Sequence, residues 1–242
     1  MTLIVGLRGA ESVVLASDSQ GTHGGMKQER RKLFKSGSLV WGTAGELAAS
    51  QTLYTELEKV GLKPNPDRES AKAGIQRAMI ATADQEVGPR PPGDGWFEGL
   101  FAWYSATERR TFLLRARHDG RVEFMPRYGA VGSSAQIGEV GFFGFSRSQF
   151  LDYETMSLEQ TKMLTFMVAE DAVKASAKGV DLPIQAAVVS PEETAVLHDD
   201  ELKAVNDTVT AFRMHQLDFL KRPEAPSASQ SGPGLVPGER GT

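Results

Sequence analysis

The chain of 242 residues contains no cysteine. Disulfides, thiolate metal sites and a cysteine nucleophile are therefore all excluded. Nor is there a basic excess. Lys and Arg number 27 against 31 Asp and Glu, a formal net charge of −4, which gives no electrostatic case for nucleic acid. No run approaches the roughly eighteen uncharged apolar residues needed to span a bilayer, so no membrane span is expected. The N-terminus lacks a basic stretch followed by a long apolar core. That argues against a cleaved secretory signal and makes the cytoplasm the default compartment. Only four histidines occur, His23, His118, His198 and His215, and none pairs with another at ligand spacing. They read as surface or loop residues, and no metal or cofactor is expected. Internal repeats are absent.

What is present is a globular composition, 40% hydrophobic and 24% charged. It suits one domain, or at most two small ones, with a substantial buried core. The first nineteen residues carry the most information. Two apolar, β-branched runs, Thr2-Leu-Ile-Val-Gly-Leu-Arg8 and Ser12-Val-Val-Leu-Ala-Ser-Asp18, flank a loop containing Gly9. This is a hairpin signal. With Gly9 to Glu11 as a three-residue loop, Arg8 faces Ser12 and Thr2 faces Asp18. Opposed residues share a sheet face, so this register sets a hydroxyl beside a carboxylate.

Beyond Ser19, Gln20 to Gly25 reads as a glycine-rich loop and Lys27 to Arg31 as a charged, solvated run. Lys32-Leu-Phe-Lys35 and Ser38 to Ala44 are strand candidates. Glu46 to Val60 is a helix with Leu47, Leu53, Tyr54, Leu57 and Val60 along one broad face. Asp67 is an N-cap for a second helix to about Glu86, with Ile75, Met79 and Ile80 inward. Gly88 to Gly95 is loop. Phe97 to Ser105, Arg110 to Arg117 and Val122 to Met125 read as strands. Tyr128 to Ser134 is a short strand and turn, followed by a helix within Ala135 to Phe150. Ser157 with Gln160 forms a capping box for a helix to about Lys178. Ile184 to Val189 is a buried strand, and Asp199 to Leu220 is a last helix. From Lys221 the chain is rich in Pro, Gly, Ser and Ala, which predicts a disordered tail over 221–242 after a single domain over 2–220.

Strands and helices thus come in blocks rather than alternating. That favours an α+β protein with antiparallel sheets covered by helices. Two sheets face to face with helix pairs outside fit the count.

The chemistry centres on the chain start. A small second residue permits removal of Met1. Thr2 would then carry a free α-amine and a β-hydroxyl on one residue, and the amine can serve as base for the hydroxyl. Its reference pKa of about 7.7–8.0 lies near working pH, and nearby positive charge lowers it.

Five segments in order resemble one family. They are Thr2-Leu-Ile-Val-Gly, Val13-Val-Leu-Ala-Ser-Asp-Ser, Lys32-Leu-Phe, Gly42-Thr-Ala-Gly45 and Gly132-Ser-Ser134. The family is the catalytic β-type subunits of proteasomes and the HslV-type peptidases. The likeness runs from Thr2 to about Val189. It implies an N-terminal-nucleophile hydrolase with a four-layer αββα sandwich, in agreement with the block order above. It further implies Thr2 as nucleophile with its amine as base, Asp18 holding a catalytic Lys32, and Gly45 offering its backbone N–H to the oxyanion. Ser133 matches the serine that bonds the terminal amine. Gly21 and Thr22 match positions along the substrate strand, and Thr43 and Leu47 match pocket positions. Across residues 171–181 the family's supporting acid and serine have three candidates, Asp171, Ser176 and Asp181. Ser134 falls where many members have glycine. The absence of a helix ahead of the first strand matches the catalytic rather than the α-type subunits.

The resemblance also implies an unfolded polypeptide or peptide as substrate, a homo-oligomeric ring, and an ATP-driven unfoldase as partner. Taken singly, each residue has a plainer role open to it: Asp18 as a turn cap, Lys32 as part of the basic run, Ser133 as a helix N-cap, Gly45 as turn punctuation. Two other functions stay open as well. One is an N-terminal-nucleophile amidohydrolase acting on a small amide, and the other is a non-catalytic structural subunit that keeps Met1.

Overall fold

The structure is a computed structural model that describes residues 2–23, 26–86, 96–148, 152–176 and 180–221. The chain opens with β1 (Leu3–Arg8) and β2 (Val13–Asp18), then β3 (Gln20–His23), β4 (Met26–Glu29), β5 (Leu33–Ser36) and β6 (Leu39–Gly45). Next come α1 (Leu47–Val60), α2 (Arg68–Glu86), β7 (Phe97–Ser105), β8 (Arg110–Arg117), β9 (Val122–Phe124) and β10 (Tyr128–Gly132). Then follow α3 (Ala135–Ser148), a 3-10 turn at Tyr153–Thr155, α4 (Leu158–Ala175), β11 (Ile184–Val189), β12 (Thr194–Val196) and α5 (Asp199–Lys221).

The expected α+β class is the one observed. One antiparallel sheet has the order β10-β1-β2-β11-β12 and the other β5-β6-β7-β8-β9. Their inner faces meet through Ile4, Val13, Leu15, Leu33, Val40, Leu100, Leu113 and Val131. Helices α3 and α4 cover the outer face of the first sheet, and α1 and α2 that of the second. β1 and β2 are thus buried on both faces, which is why they read as apolar runs rather than as alternating patterns.

Local chemistry sets several ends. The Ser157–Gln160 capping box forms in both directions, at 3.3 and 2.9 Å. Asp67 accepts the N–H of Ser70 at 2.9 Å and opens α2. Gly61, in the left-handed region, ends α1.

Four expectations need correction. First, the β1–β2 register is shifted by one residue: Arg8 opposes Val13 and Ile4 opposes Ser17. The loop holds four residues, closed by Gly9 N–H donating to the Ser12 carbonyl at 2.8 Å. A single added loop residue shifts every pairing, so Thr2 and Asp18 are not directly opposed. Second, Gln20–His23 and Met26–Glu29 form a two-stranded ribbon instead of a loop and a charged run. The ribbon pairs only with itself and needs no apolar alternation to form its ladder. Third, Ile80 is 41% exposed rather than inward; it lies over Gly120, while Ile75, Ala78 and Met79 fill the α2 core positions. Leu47 and Tyr54 on α1 are exposed too. Fourth, β12 was not foreseen; it is three residues long and half-buried.

Among the described residues, 2–209 form one compact unit, and 210–221, the end of α5, fall outside it. The tail expected over 221–242 lies outside the described residues, apart from Lys221, which ends α5. No helix among the described residues is long and apolar enough to cross a membrane.

Candidate active site

The centre of the site is a buried ion pair behind the chain start. Asp18 ends β2 and is fully buried. Its Oδ1 accepts the backbone N–H of Leu3 at 2.8 Å, and its Oδ2 accepts that of Gln20 at 3.1 Å. Oδ2 also receives Lys32 Nζ at 2.7 Å. Lys32 is only 8% exposed. Burial holds its ammonium below the ordinary lysine value of 10.5, against the opposing attraction and hydrogen bond of Asp18. So the carboxylate grips the backbone next to Thr2 and the lysine at once. The shifted register is what permits this. Asp18 meets the Leu3 amide rather than lying opposite Thr2.

A second contact reaches Thr2 from β10. Its backbone N–H donates to Ser133 Oγ at 3.3 Å. Ser133 follows Gly132, whose left-handed conformation (φ +100°) and close approach admit no side chain. A Cβ there would overlap the Thr2 carbonyl oxygen and lie 3.2 Å from Ala44 Cβ. Thr2 and the end of β6 therefore meet over Gly132. One residue beyond Ala44, Gly45 has φ +121°, and a Cβ would overlap the Trp96 carbonyl oxygen. Glycine is thus required at the β6–α1 junction.

Thr43 is buried on β6, and its Oγ1 is 2.7 Å from Ser50 Oγ on α1. Leu47 is exposed at the first position of α1. Together with Arg30, Arg31, Phe34, Ser50, Gln51 and Tyr54 it lines a mostly apolar groove of about 480 Å³ between β5 and α1. Gly21 and Thr22 lie on β3, where they pair with Gln28 and Lys27. Thr2, Asp18, Lys32 and Ser133 are therefore linked by hydrogen bonds, Thr43, Gly45 and Leu47 lie at the β6–α1 junction next to Ala44, and Gly21 and Thr22 sit on the separate ribbon.

Of the three candidates across 171–181, Asp171 lies within α4, and Ser176 joins the 132–134 turn: its Oγ lies 2.9 Å from Ser134 Oγ. The Asp181 carbonyl instead accepts Ser19 N–H at 3.4 Å.

Two contributors escaped sequence reasoning. Gln185, on β11, accepts the Lys32 N–H at 2.8 Å and donates to the Arg30 carbonyl at 2.6 Å. It clamps the backbone on both sides of Arg31 and so fixes the base of Lys32. Glu98, on β7, accepts Gly132 N–H at 3.0 Å. Neither sits in a recognisable motif; a polar residue inside an apolar strand was the only available signal. Among the described residues no group of three or more His, Asp or Glu is placed to hold a metal ion.

No family model matches this sequence, and no curated protein matches it. Solved structures do. One is the Anbu (Gly-1) mutant from Hyphomicrobium sp. strain MC1, with a TM-score of 0.66 and 16% identity over 93% of this chain and 99% of that chain. Another is Anbu, described as an ancestral beta-subunit, from Yersinia bercovieri, with a TM-score of 0.68 and 17% identity over 92% of this chain and 98% of that chain. At these identities the likeness is one of fold. The chain therefore shares the fold of these Anbu structures.

Proposed function

We propose that the protein is a threonine-type endopeptidase subunit of a self-compartmentalising protease, with Thr2 as the nucleophile exposed by loss of Met1. The observation that carries this is the Asp18 carboxylate, which joins the Leu3 amide to the buried Lys32 ammonium directly behind Thr2. Such a pair is costly to bury and contributes little to net stability, so a chemical role accounts for it better than a structural one.

Loss of Met1 turns the Thr2 nitrogen into an α-amine beside Ser133 Oγ. The Lys32 charge favours the neutral amine and the ionised hydroxyl. The amine takes the hydroxyl proton as Thr2 Oγ1 attacks a peptide carbonyl. The Gly45 N–H stabilises the oxyanion, a contribution of about 10²–10³ in rate for a donor of this kind. Collapse expels the amine product with that proton and leaves an ester on Thr2. Water then hydrolyses the ester, with the amine again moving the proton. Asp18 holds Lys32, and Gly45, without a side chain, lets the end of β6 pack against the Trp96 carbonyl. The groove at Phe34, Leu47 and Tyr54 suits an apolar side chain next to the scissile bond, with Thr43 shaping its inner end and Gly21 and Thr22 flanking the substrate strand.

The peptidase would act as a homo-oligomeric ring in the cytoplasm, fed with unfolded polypeptide by an ATP-driven unfoldase. The likeness to a protein described as a beta-subunit supports the oligomeric part of this reading. Intact mass spectrometry tests the first step, and a retained Met1 overturns the proposal. With Met1 gone, Thr2→Ala and Lys32→Ala each abolish turnover of a fluorogenic peptide while circular dichroism stays native. Full activity in either variant defeats the assignment.

A further inference from the structure

Gly132 ends the edge strand of the first sheet, and its amide is not spent on solvent. The Gly132 N–H donates to Glu98 Oε1 at 3.0 Å. Glu98 belongs to the other sheet, where it stands between Ala44 and Arg117 in register. Along β7 it shares a face with Leu100 and Ala102, both members of the inter-sheet core. The carboxylate therefore crosses from one sheet to the other at the mouth of the sandwich. It takes hold of the backbone one residue before Ser133.

Three features argue for more than the satisfaction of an edge amide. The acceptor is supplied by β7 of the opposite sheet rather than by a neighbour of the edge strand itself, so the bond spans the two sheets. The turn has no slack: Gly132 is in the left-handed region and packed against the Thr2 carbonyl, so any shift moves Thr2 and Ser133 together. And Glu98 is the cross-strand neighbour of Ala44, which precedes Gly45. One side chain thus ties the strand that ends in Gly45 to the turn that holds Thr2.

We propose that Glu98 is a positioning residue for Thr2, setting the Ser133 hydroxyl and the Thr2 backbone at a fixed distance from the Gly45 end of β6. This rests on the peptidase reading above. A displacement of about 1 Å at reacting atoms can cost about 10²-fold in rate. Glu98→Ala is expected to lower kcat about 10–100-fold with KM nearly unchanged. Glu98→Gln keeps an oxygen that accepts the Gly132 N–H and is expected to retain most of the wild-type kcat. If Glu98→Ala fails to fold, Glu98→Asp, one methylene shorter, takes its place with the same expected loss.

Wild-type kcat in the Ala or Asp variant overturns the proposal. So does an equal loss in Glu98→Gln, or a loss confined to KM. Thr2→Ala is measured alongside. Should the wild-type protein turn over no faster than Thr2→Ala, the peptidase reading falls by itself. Amide hydrogen exchange then decides the positioning role. Faster exchange at Gly132 and Ser133 in Glu98→Ala, with Leu113 unchanged, sustains it, and unchanged exchange at Gly132 overturns it.

Discussion

The layer between the second sheet and helices α1 and α2 is aromatic, whereas the layer between the two sheets is aliphatic and lined with glycine. Trp41, Phe97, Phe101, Trp103 and Phe112 fill the first layer, with Trp103 stacked on Phe112 and Trp41 on Phe101. The second holds Ile4, Val13, Leu15, Leu33, Val40, Leu100 and Leu113. There, a Cβ on Gly6 would lie 2.8 Å from Leu15 and 2.9 Å from Leu113, and one on Gly42 would lie 2.8 Å from Leu33. The aromatic layer supplies bulk burial, reaching the site only through Phe97 beside Gly45 and Trp41 beneath the groove residues Phe34 and Tyr54, with Trp103 further along the sheet. The glycine-bearing layer sets how closely the sheets approach, and the candidate site opens at its end. Equal losses of packing energy in the two layers should therefore have unequal effects on chemistry.

The strongest test of that contrast is Trp103→Ala. Removing this fully buried ring should cost about 3–5 kcal/mol of stability, seen as a lower denaturation midpoint. Turnover per folded molecule should stay at the wild-type level. A large fall in kcat for the folded fraction would break the distinction between the layers.

Lys32→Met strands the Asp18 carboxylate in the interior and should cost about 3 kcal/mol as well as activity. Its pH dependence sharpens the comparison, because nothing in the aromatic layer titrates this way. Burial holds the folded-state pKa of Lys32 below its unfolded value of 10.5. Between the two values the unfolded chain binds more protons, so the contribution of this group to stability rises with pH. Below the folded value the cost of burying the ammonium stands at its full size. The stability of the wild-type protein relative to Lys32→Met should therefore climb as pH rises toward 10.5, read from urea denaturation across that range. A flat or falling difference would contradict the burial effect.

Gly6→Ala should cost about 1–3 kcal/mol by overpacking. Unlike Trp103→Ala, it should also lower kcat in molecules that remain folded, since Leu15 and Leu113 must shift in the layer at whose end the site opens. Wild-type kcat there would show that the inter-sheet layer is not coupled to the site. The smallest effect belongs to Ser157→Ala at the start of α4, remote from both layers. Loss of the capping box should lower stability by about 1 kcal/mol, with kcat unchanged.

Much of this could be read before any coordinates. The α4 capping box, the glycine that closes α1 and the apolar runs of β1 and β2 are local signals, and they appear where expected. The opening hairpin marks Thr2 and Asp18, the family resemblance adds Lys32 and Ser133, and their side chains or backbone do meet. Other elements resisted. The β3–β4 ribbon has no apolar alternation to announce it. Ile80 sits one position off the buried stripe of α2, where helical periodicity alone does not separate core from margin. The opening hairpin was placed one residue out because the length of its loop depends on where the Gly9 amide finds its acceptor.

Chain order and composition by themselves determined the blocks of strands and helices, the α+β class and the kinds of side chain available for chemistry. Those properties follow from periodicity and caps, which act within a few residues. Only the tertiary structure decided that Asp18 holds the Leu3 amide rather than opposing Thr2, that Gln185 grips Lys32 from 153 residues away, and that Glu98 reaches across to Gly132. The first contact turns on a one-residue register within the opening hairpin, and the other two join residues distant in the chain, so none is announced by a local pattern.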